Sequence, residues 1–257
     1  MLALRTLNLH GCWLLRSSTL AGLLAATPQL QSLNLSFCAR ALSRSESSAH
    51  ASPHSEEVLE LIAGLDQLSL LDLTNCDLSD AAINRLCSGW TRRMEAERAK
   101  QVEEHEAAAA AAAASAALST LAIQPVAATS TAVMTSAAVA AAPPLPSSRL
   151  PPLPPPALRS LNLSNNPSLS NASLSAFHSV GLQLHDLCVY GVYRLDDKGL
   201  LNLSYKHLKR LCYSGCYRVS ESLKRYLFSS NPSLLLYNQP QQFGTEFFKQ
   251  QQSPQQA

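Results

Sequence analysis

Two groups of reactive side chains lie close together in this chain. Cys212 and Cys216, with His207 just before them, are residue types that bind zinc. A structural zinc site needs a second close pair of ligands, and the spacing here supplies none. His10 and Cys12 resemble a base beside a nucleophile, but no third group or oxyanion-binding arrangement accompanies them in the sequence. Neither group therefore predicts a metal site or a catalytic site.

Composition and motifs also argue against catalysis. The 257-residue chain has no phosphate-binding loop, dinucleotide fingerprint or Gly-x-Ser-x-Gly, and its 9 glycines do not cluster. We predict a protein that is not an enzyme and that needs no metal or cofactor. The net charge of +2 predicts no nucleic-acid partner. Seven cysteines, an odd number, with no recognisable signal peptide or membrane span, predict the cytoplasm or the nucleus.

The cysteines are better explained by a repeat. A Leu-x-x-Leu-x-Leu-x-x-Cys pattern recurs, and its copies begin at Leu4, Leu30, Leu68, Leu158, Leu184 and Leu208. Asn166 and Val192 replace the cysteine in two copies, and we expect a degenerate seventh copy with Leu234 and Tyr237 in its first two positions. Leu4 and Leu30 are 26 residues apart, as are Leu158 and Leu184. Periods of roughly 20–50 residues indicate solenoids or related arrays.

Each copy predicts a strand followed by a helix. Alternate side chains of a strand point to opposite faces, so the last two leucines of the pattern face a core shared with the next coil. A Leu-Ser-Asp step, as at Leu78-Ser79-Asp80, is typical of a helix start. The sequence thus predicts an α/β solenoid with parallel strands on the concave face and helices on the convex face. Met1 lies three residues before the first core leucine, so we expect an uncapped first coil.

The period, the cysteine after the strand and the Leu-Ser-Asp step resemble the cysteine-containing leucine-rich-repeat family over about residues 1–90 and 157–238. This family provides the repeat domains of F-box proteins and of antagonist-of-mitotic-exit-network proteins. The resemblance implies a leucine-rich-repeat horseshoe and a substrate-recognition role in an SCF-type ubiquitin ligase. No F-box-like helical segment precedes the repeat at Leu4. The alternative is a leucine-rich-repeat scaffold or assembly factor unrelated to ubiquitin.

Composition divides the chain into four parts. Residues 1–90 and 157–238 hold the repeats, and residues 91–156 form an insertion that opens with a charged helix and an alanine run. The insertion ends in a Pro-rich loop predicted to be disordered, as is the Gln-rich tail at 239–257. Within the loop, Arg149, Pro152 and Pro155 fit the ligand pattern of SH3 domains, and a Pro-rich spacer is the alternative.

The concave face is the predicted partner-binding surface, with no membrane involved. Its middle positions form a polar ladder of Asn8, Asn34, Asp72 and Asn162, although short polar residues also simply suit a solvated sheet. Tyrosines and arginines, which are enriched at binding hot spots, collect towards the C-terminal end. These predicted contact residues are Tyr190, Tyr193, Arg194, Arg210, Tyr213, Tyr217 and Arg218.

Overall fold

The computed structural model describes residues 4–42, 54–121, 156–203 and 206–237. Three-residue strands alternate with helices along this part of the chain. The strands are β1 (Thr6–Asn8), β2 (Ser32–Asn34), β3 (Leu70–Asp72), β4 (Ser160–Asn162), β5 (Asp186–Cys188), β6 (Arg210–Cys212) and β7 (Leu235–Tyr237). The helices are α1 (Ser17–Ala26), α2 (Ala39–Leu42), α3 (His54–Ala63), α4 (Asp80–Leu121), α5 (Asn171–Val180), α6 (Asp197–Leu201) and α7 (Glu221–Ser230).

The strands form one open sheet in chain order, β1 to β7, and every neighbouring pair is parallel. The α/β prediction is therefore confirmed, and the arrangement is solenoid-like. Strands this short cannot bury a core alone, so each coil depends on its neighbours. None of the described helices has both the length and the apolar character that crossing a membrane would require.

A column of leucines runs through the sheet and forms its core. Leu33, Leu71, Leu161, Leu187 and Leu211 are paired in register and are fully buried. Each such side chain contributes roughly 1.5–3 kcal/mol through burial. Leu7, the equivalent residue of the edge strand β1, is only half-buried.

The seventh copy is present, but its register differs by one residue from the prediction. Leu211 pairs with Leu236, so Leu236 and not Tyr237 takes the core column. Tyr237 instead pairs with Cys212 on the opposite face of the sheet. The connection into β7 contains one residue fewer than the leucine spacing implied, because Arg210 and Leu235 are 25 residues apart. A one-residue shift reverses the face of every side chain in a strand.

The long gap in the repeat pattern is an excursion from the sheet. Asp72 and Asn162 pair in register although they are 90 residues apart. The excursion begins inside α4, a single 42-residue helix, so the predicted charged helix is an extension of the third coil's own helix. Lys100 and Glu104 lie 3.8 Å apart on it. The chain forms two compact units, one of Met1–Arg93 with Pro154–Ala257 and one of Met94–Leu153.

Several predictions fall outside the described residues. These are the Pro-rich loop with the SH3-type residues Arg149, Pro152 and Pro155, and the Gln-rich tail at 239–257.

Candidate functional site

The predicted polar ladder exists, but it is largely buried. Asn8, Asn34, Asp72 and Asn162 occupy one row across β1 to β4. Asn34, Asp72 and Asn162 are only 6%, 4% and 9% exposed, whereas Asn8 on the edge strand is exposed. Three of the four predicted contact residues thus present little surface to a partner.

Local hydrogen bonds explain this burial. Asn34 Oδ1 accepts hydrogen bonds from the backbone N–H (2.9 Å) and the hydroxyl (2.6 Å) of Ser36. Asp72 Oδ1 accepts the same two bonds from Thr74, at 2.9 and 2.7 Å. Asn162 does the same with Ser164. The ladder residues are therefore structural turn-formers that satisfy the polar groups at the end of each strand.

His10 belongs to this turn network. Its Nδ1 lies 2.6 Å from Ser36 Oγ, and its ring meets Phe37 edge-on with centroids 5.3 Å apart. The Asx-to-hydroxyl contact behind it recurs at Asp72 and Asn162, where no histidine takes part. Recurrence of the same geometry in coil after coil indicates a structural role.

Asp72 is the one carboxylate in the row. Burial raises the pKa of Asp72, while hydrogen bonds from Thr74 and Asn162 oppose the rise. Asn162 Nδ2 is 3.4 Å from Asp72 Oδ2, a long contact that only weakly compensates the charge. The charged form of this side chain is therefore disfavoured in the folded protein.

The same row becomes apolar across β5 to β7. Cys188 and Cys212 pair in register, are fully buried, and pack with Leu70, Tyr190 and Tyr237. Desolvation by burial raises the pKa of Cys188, whereas a hydrogen bond from the Cys188 thiol lowers the pKa of Cys212. We name these five residues the cysteine–tyrosine cluster. Tyr190, predicted as a contact residue, is half-buried here.

Two further predicted contact residues are also engaged inside the structure. Arg210 is 7% exposed, and its Nε lies 2.5 Å from Asp186 Oδ1 in a buried ion pair. Ser160 donates to the other carboxylate oxygen of Asp186. Tyr213 holds a core position of the repeat and is half-buried, and burial raises its pKa to about 12. Arg210 and Tyr213 therefore support the sheet from within.

The remaining predicted contact residues form an exposed surface. Tyr193 and Tyr217 stack with ring centroids 5.8 Å apart and planes 4° from parallel, and they are 50% and 84% exposed. Arg194 and Arg218 follow them directly, and both are exposed. We name these four residues the tyrosine–arginine surface. Tyr193 and Tyr217 lie on equivalent loops of neighbouring coils, so the spacing between coils determines the distance between the two rings.

Hydrogen bonds between coils hold these loops in place. The sequence placed these cysteines in the repeat pattern, and in the structure their thiols donate hydrogen bonds to the preceding coil. Cys38 Sγ lies 3.1 Å from the Leu9 carbonyl, and Cys216 Sγ lies 3.2 Å from the Val189 carbonyl. Cys216 is the residue directly before Tyr217, so its bond fixes one end of the tyrosine–arginine surface.

Asn166 does more than the cysteine it replaces. Its amide donates to the carbonyl of Leu73 at 2.9 Å, and its oxygen accepts from the N–H groups of Cys76 and Leu78 at 3.1 and 3.0 Å. The side chain is fully buried. One residue thus binds together the two coils that flank the long excursion.

Helix starts are also joined from coil to coil. The Asp80 carboxylate accepts from the Ser170 N–H (2.8 Å) and hydroxyl (2.6 Å). Asp197 accepts the same two bonds from Ser220, at 2.7 and 2.5 Å. Desolvation by burial raises the pKa of Asp80, but hydrogen bonds from Ser170 and Ser173 outweigh this effect, so the pKa is lowered overall. The Leu-Ser-Asp step predicted a cap within each helix, and it did not predict these bonds between helices.

The repeat pattern did not predict one column of residues with an unusual backbone conformation. The residue three places after the last residue of each of the first six strands adopts a left-handed backbone, with φ between 52° and 78°. These residues are Gly11, Phe37, Asn75, Asn165, Gly191 and Gly215. Aligning the repeat copies column by column would have isolated Phe37 as the outlier.

The structure does not assemble the zinc ligands considered from the sequence. Cys212 is hydrogen-bonded to Cys188, and Cys216 to the Val189 carbonyl. In the part of the chain that the structure describes, no three His, Cys, Asp or Glu side chains come together as metal ligands would. No known protein-family model matches this sequence, and no curated protein matches it either. Fold and surface alone define the class, a parallel α/β solenoid-like protein with an exposed aromatic and basic edge.

Proposed function

We propose that this protein is a non-catalytic protein–protein recognition module built on a leucine-rich-repeat solenoid of the cysteine-containing subclass. The repeat pattern and the thiol-to-carbonyl bonds between coils support the subclass. The observation that carries the function is the stacked and exposed pair Tyr193–Tyr217 beside Arg194 and Arg218. Large rings held in water on a rigid scaffold, next to arginines, have the composition of binding hot spots.

A binding role also fits the state of the reactive groups. Asp72, Asp186 and the His10–Ser36 pair are all committed to hydrogen bonds within the sheet. A catalytic group must be free to contact a substrate and to exchange protons with it. The exposed groups at the loop edge offer contact area and charge, which are the requirements of recognition.

The first candidate for the wider role is substrate recognition in an SCF-type ubiquitin ligase. Its support is the resemblance of the repeat to the repeat domains of F-box proteins. The second candidate is a scaffold or assembly factor unrelated to ubiquitin. Its support is the extension of α4 to Leu121, which gives the chain a second helical element beyond the repeats.

Affinity purification with mass spectrometry, using a tag at the C-terminus of the native locus, distinguishes these roles. Recovery of a cullin with its F-box-binding adaptor supports the ligase role. Recovery of a stable partner set without either component rejects that role and favours the scaffold.

A variant pair tests the surface itself. Replacing both Tyr193 and Tyr217 by alanine should remove most of the recovered partner, because the stack supplies the exposed aromatic area of the tyrosine–arginine surface. Tyr226→Ala is the matched control, since Tyr226 is an equally exposed tyrosine on α7. Unchanged recovery with the double variant, at wild-type thermal stability, would reject the tyrosine–arginine surface as the binding site.

A further inference from the structure

A second exposed surface lies at the other end of the sheet. Because β1 and β2 are parallel neighbours, the loops that follow them lie at the same edge. Trp13 and Leu14 in the first loop are 68% and 58% exposed, and Phe37 in the second is 43% exposed. With His10, which contacts Phe37, they form what we name the N-terminal aromatic surface.

Phe37 is a bulky residue at a position where the repeat uses a left-handed backbone. Its φ is 61°, in the left-handed region, where a bulky side chain is unfavourable. The equivalent positions of the other coils carry glycine or asparagine, which adopt this conformation more readily. The ring is also held in place, edge-on to His10, whose Nδ1 lies 2.6 Å from Ser36 Oγ. Strain of this kind is typical of functional positions.

The same region carries only positive charge. Residues 4–42 include Arg5, Arg16 and Arg40 and contain neither aspartate nor glutamate. All three arginines are exposed, and none forms an ion pair with a described residue. An exposed guanidinium group that has no ion-pair partner among the described residues, such as that of Arg16, favours a carboxylate-bearing ligand.

Arg16 departs from the repeat in the same direction. It occupies the N-cap of α1, four residues after the repeat cysteine, where Ser170, Asp196 and Ser220 cap α5, α6 and α7. It makes no capping hydrogen bond, and the first turn of α1 contains no acidic residue. The next residue, Ser17, is buried, and its hydroxyl has no hydrogen-bond partner among the described residues. A cation at the positive end of a helix dipole is unfavourable unless an anion joins it.

We propose that the N-terminal aromatic surface and Arg16 together bind an acidic peptide segment of a partner protein. A carboxylate of the peptide pairs with Arg16 at the start of α1, and an adjacent apolar side chain packs on Trp13 and Phe37. Arginine and the free N–H groups of a helix start both favour carboxylates. This site is separate from the tyrosine–arginine surface, which lies on the loops after β5 and β6.

Two substitutions separate this binding from folding. Arg16→Ser introduces the residue that caps α5 and α7, and Phe37→Asn introduces the residue found at the equivalent Asn75 and Asn165. Both variants should keep or raise the thermal midpoint, since they restore the repeat's own solution. Both should weaken peptide binding by about tenfold or more, because each removes one of the two contacts.

The test uses the full chain on an arrayed library of random synthetic octapeptides. We expect bound peptides enriched in Asp or Glu beside Leu, Phe or Trp, and loss of binding when Gln and Asn replace the acids. Fluorescence anisotropy with the strongest peptide then compares the wild type with Arg16→Ser, Phe37→Asn and Tyr217→Ala. Of these three variants, only Tyr217→Ala should retain the affinity of the wild type.

Four results would overturn the proposal. One is a library without acidic enrichment, and another is equal affinity of the enriched peptides for the wild type, Arg16→Ser and Phe37→Asn. The third is Arg16-dependent binding to phosphatidylserine vesicles with no peptide selection, which would assign the surface to a membrane. Loss of peptide binding in Tyr217→Ala alone would assign the peptides to the other surface, and would leave the recognition function intact.

Discussion

The two halves of the sheet, β2 to β4 and β5 to β7, continue the same strand register but carry different kinds of side chain on one face. The last residues of the strands form one row across the sheet. This row consists of Asn34, Asp72 and Asn162 across β2 to β4, and of Cys188, Cys212 and Tyr237 across β5 to β7. The first half is stabilised by hydrogen bonds within each strand end, and the second by apolar packing between strands. Both are largely buried. The sheet face therefore serves as a scaffold, whereas the exposed aromatic and basic groups lie on the loops at its edge.

The largest expected effect comes from the core that both halves share. Leu161→Asp places a charge in the fully buried leucine column where the halves meet. Burying an unpaired carboxylate should destabilise the protein by about 4–5 kcal/mol or more, enough to unfold the array. Circular dichroism during urea denaturation measures this. A folded variant with wild-type cooperativity would show that the two halves do not depend on a common core.

The next largest effect tests the junction between coils. Asn166→Ala leaves the N–H groups of Cys76 and Leu78 and the Leu73 carbonyl without their partner, at a cost of about 3 kcal/mol. Cys216→Ala, which removes one thiol bond in the C-terminal half, should cost only about 1 kcal/mol. Equal losses in urea denaturation would contradict the distinction between amide and thiol at this position.

A smaller effect with a defined pH dependence is expected at Asp80. Its pKa is lowered in the folded state, so its contribution is present above the unfolded pKa and disappears as pH falls through the folded pKa. Asp80→Asn should destabilise the protein by about 1 kcal/mol at neutral pH, as the loss of a helix cap does. Chemical denaturation at several pH values should show the wild type and the variant converging in acid. A difference that is constant with pH would contradict this.

The opposite sign is expected at Asp72, in the middle of the polar half. Its pKa is raised in the folded state, so the wild type loses stability as pH rises from the unfolded towards the folded pKa. Asp72→Asn should stabilise the protein at neutral pH by on the order of 1 kcal/mol, because Asn34 and Asn162 make the same turn without a charge. The same denaturation series checks it. Destabilisation at neutral pH would indicate that the carboxylate has a partner that the amide cannot replace.

The sequence predicted the repeat well, because the leucine period reflects a core that every coil must build. It identified the faces of β2 to β6 correctly, yet it misplaced β7 by one residue. A turn can lose a residue without any change in the leucine pattern. It also did not predict that α4 would continue into the excursion, since helix propensity is local and does not stop where the sheet contacts end.

The candidate site was harder to predict from the sequence. Alternation gives the face on which Asn34 or Arg210 lies, but it does not give exposure. Strands about 4.8 Å apart can cover a short side chain, and Asp186 in the next strand pairs with Arg210. The predicted exposure of Tyr193 and Tyr217 agrees with the structure because both residues lie on loops, where neighbouring strands do not cover their rings. Phe37 is recognised as unusual only when the repeat copies are aligned column by column, because the equivalent positions carry glycine or asparagine.

The bonds from Asp80 to Ser170 and from Asn166 to Cys76 and Leu78 also fix how the chain tolerates changes in length. They fasten both ends of the excursion, so the chain between them behaves as one closed loop. Closing such a loop costs only about 0.6 kcal/mol more each time its length doubles. A reporter domain inserted after Leu121, within the excursion, should therefore leave the seven-stranded sheet nearly as stable as before. The excursion should therefore tolerate an inserted domain, because the stability of the sheet depends on the excursion only through the hydrogen bonds at its two ends.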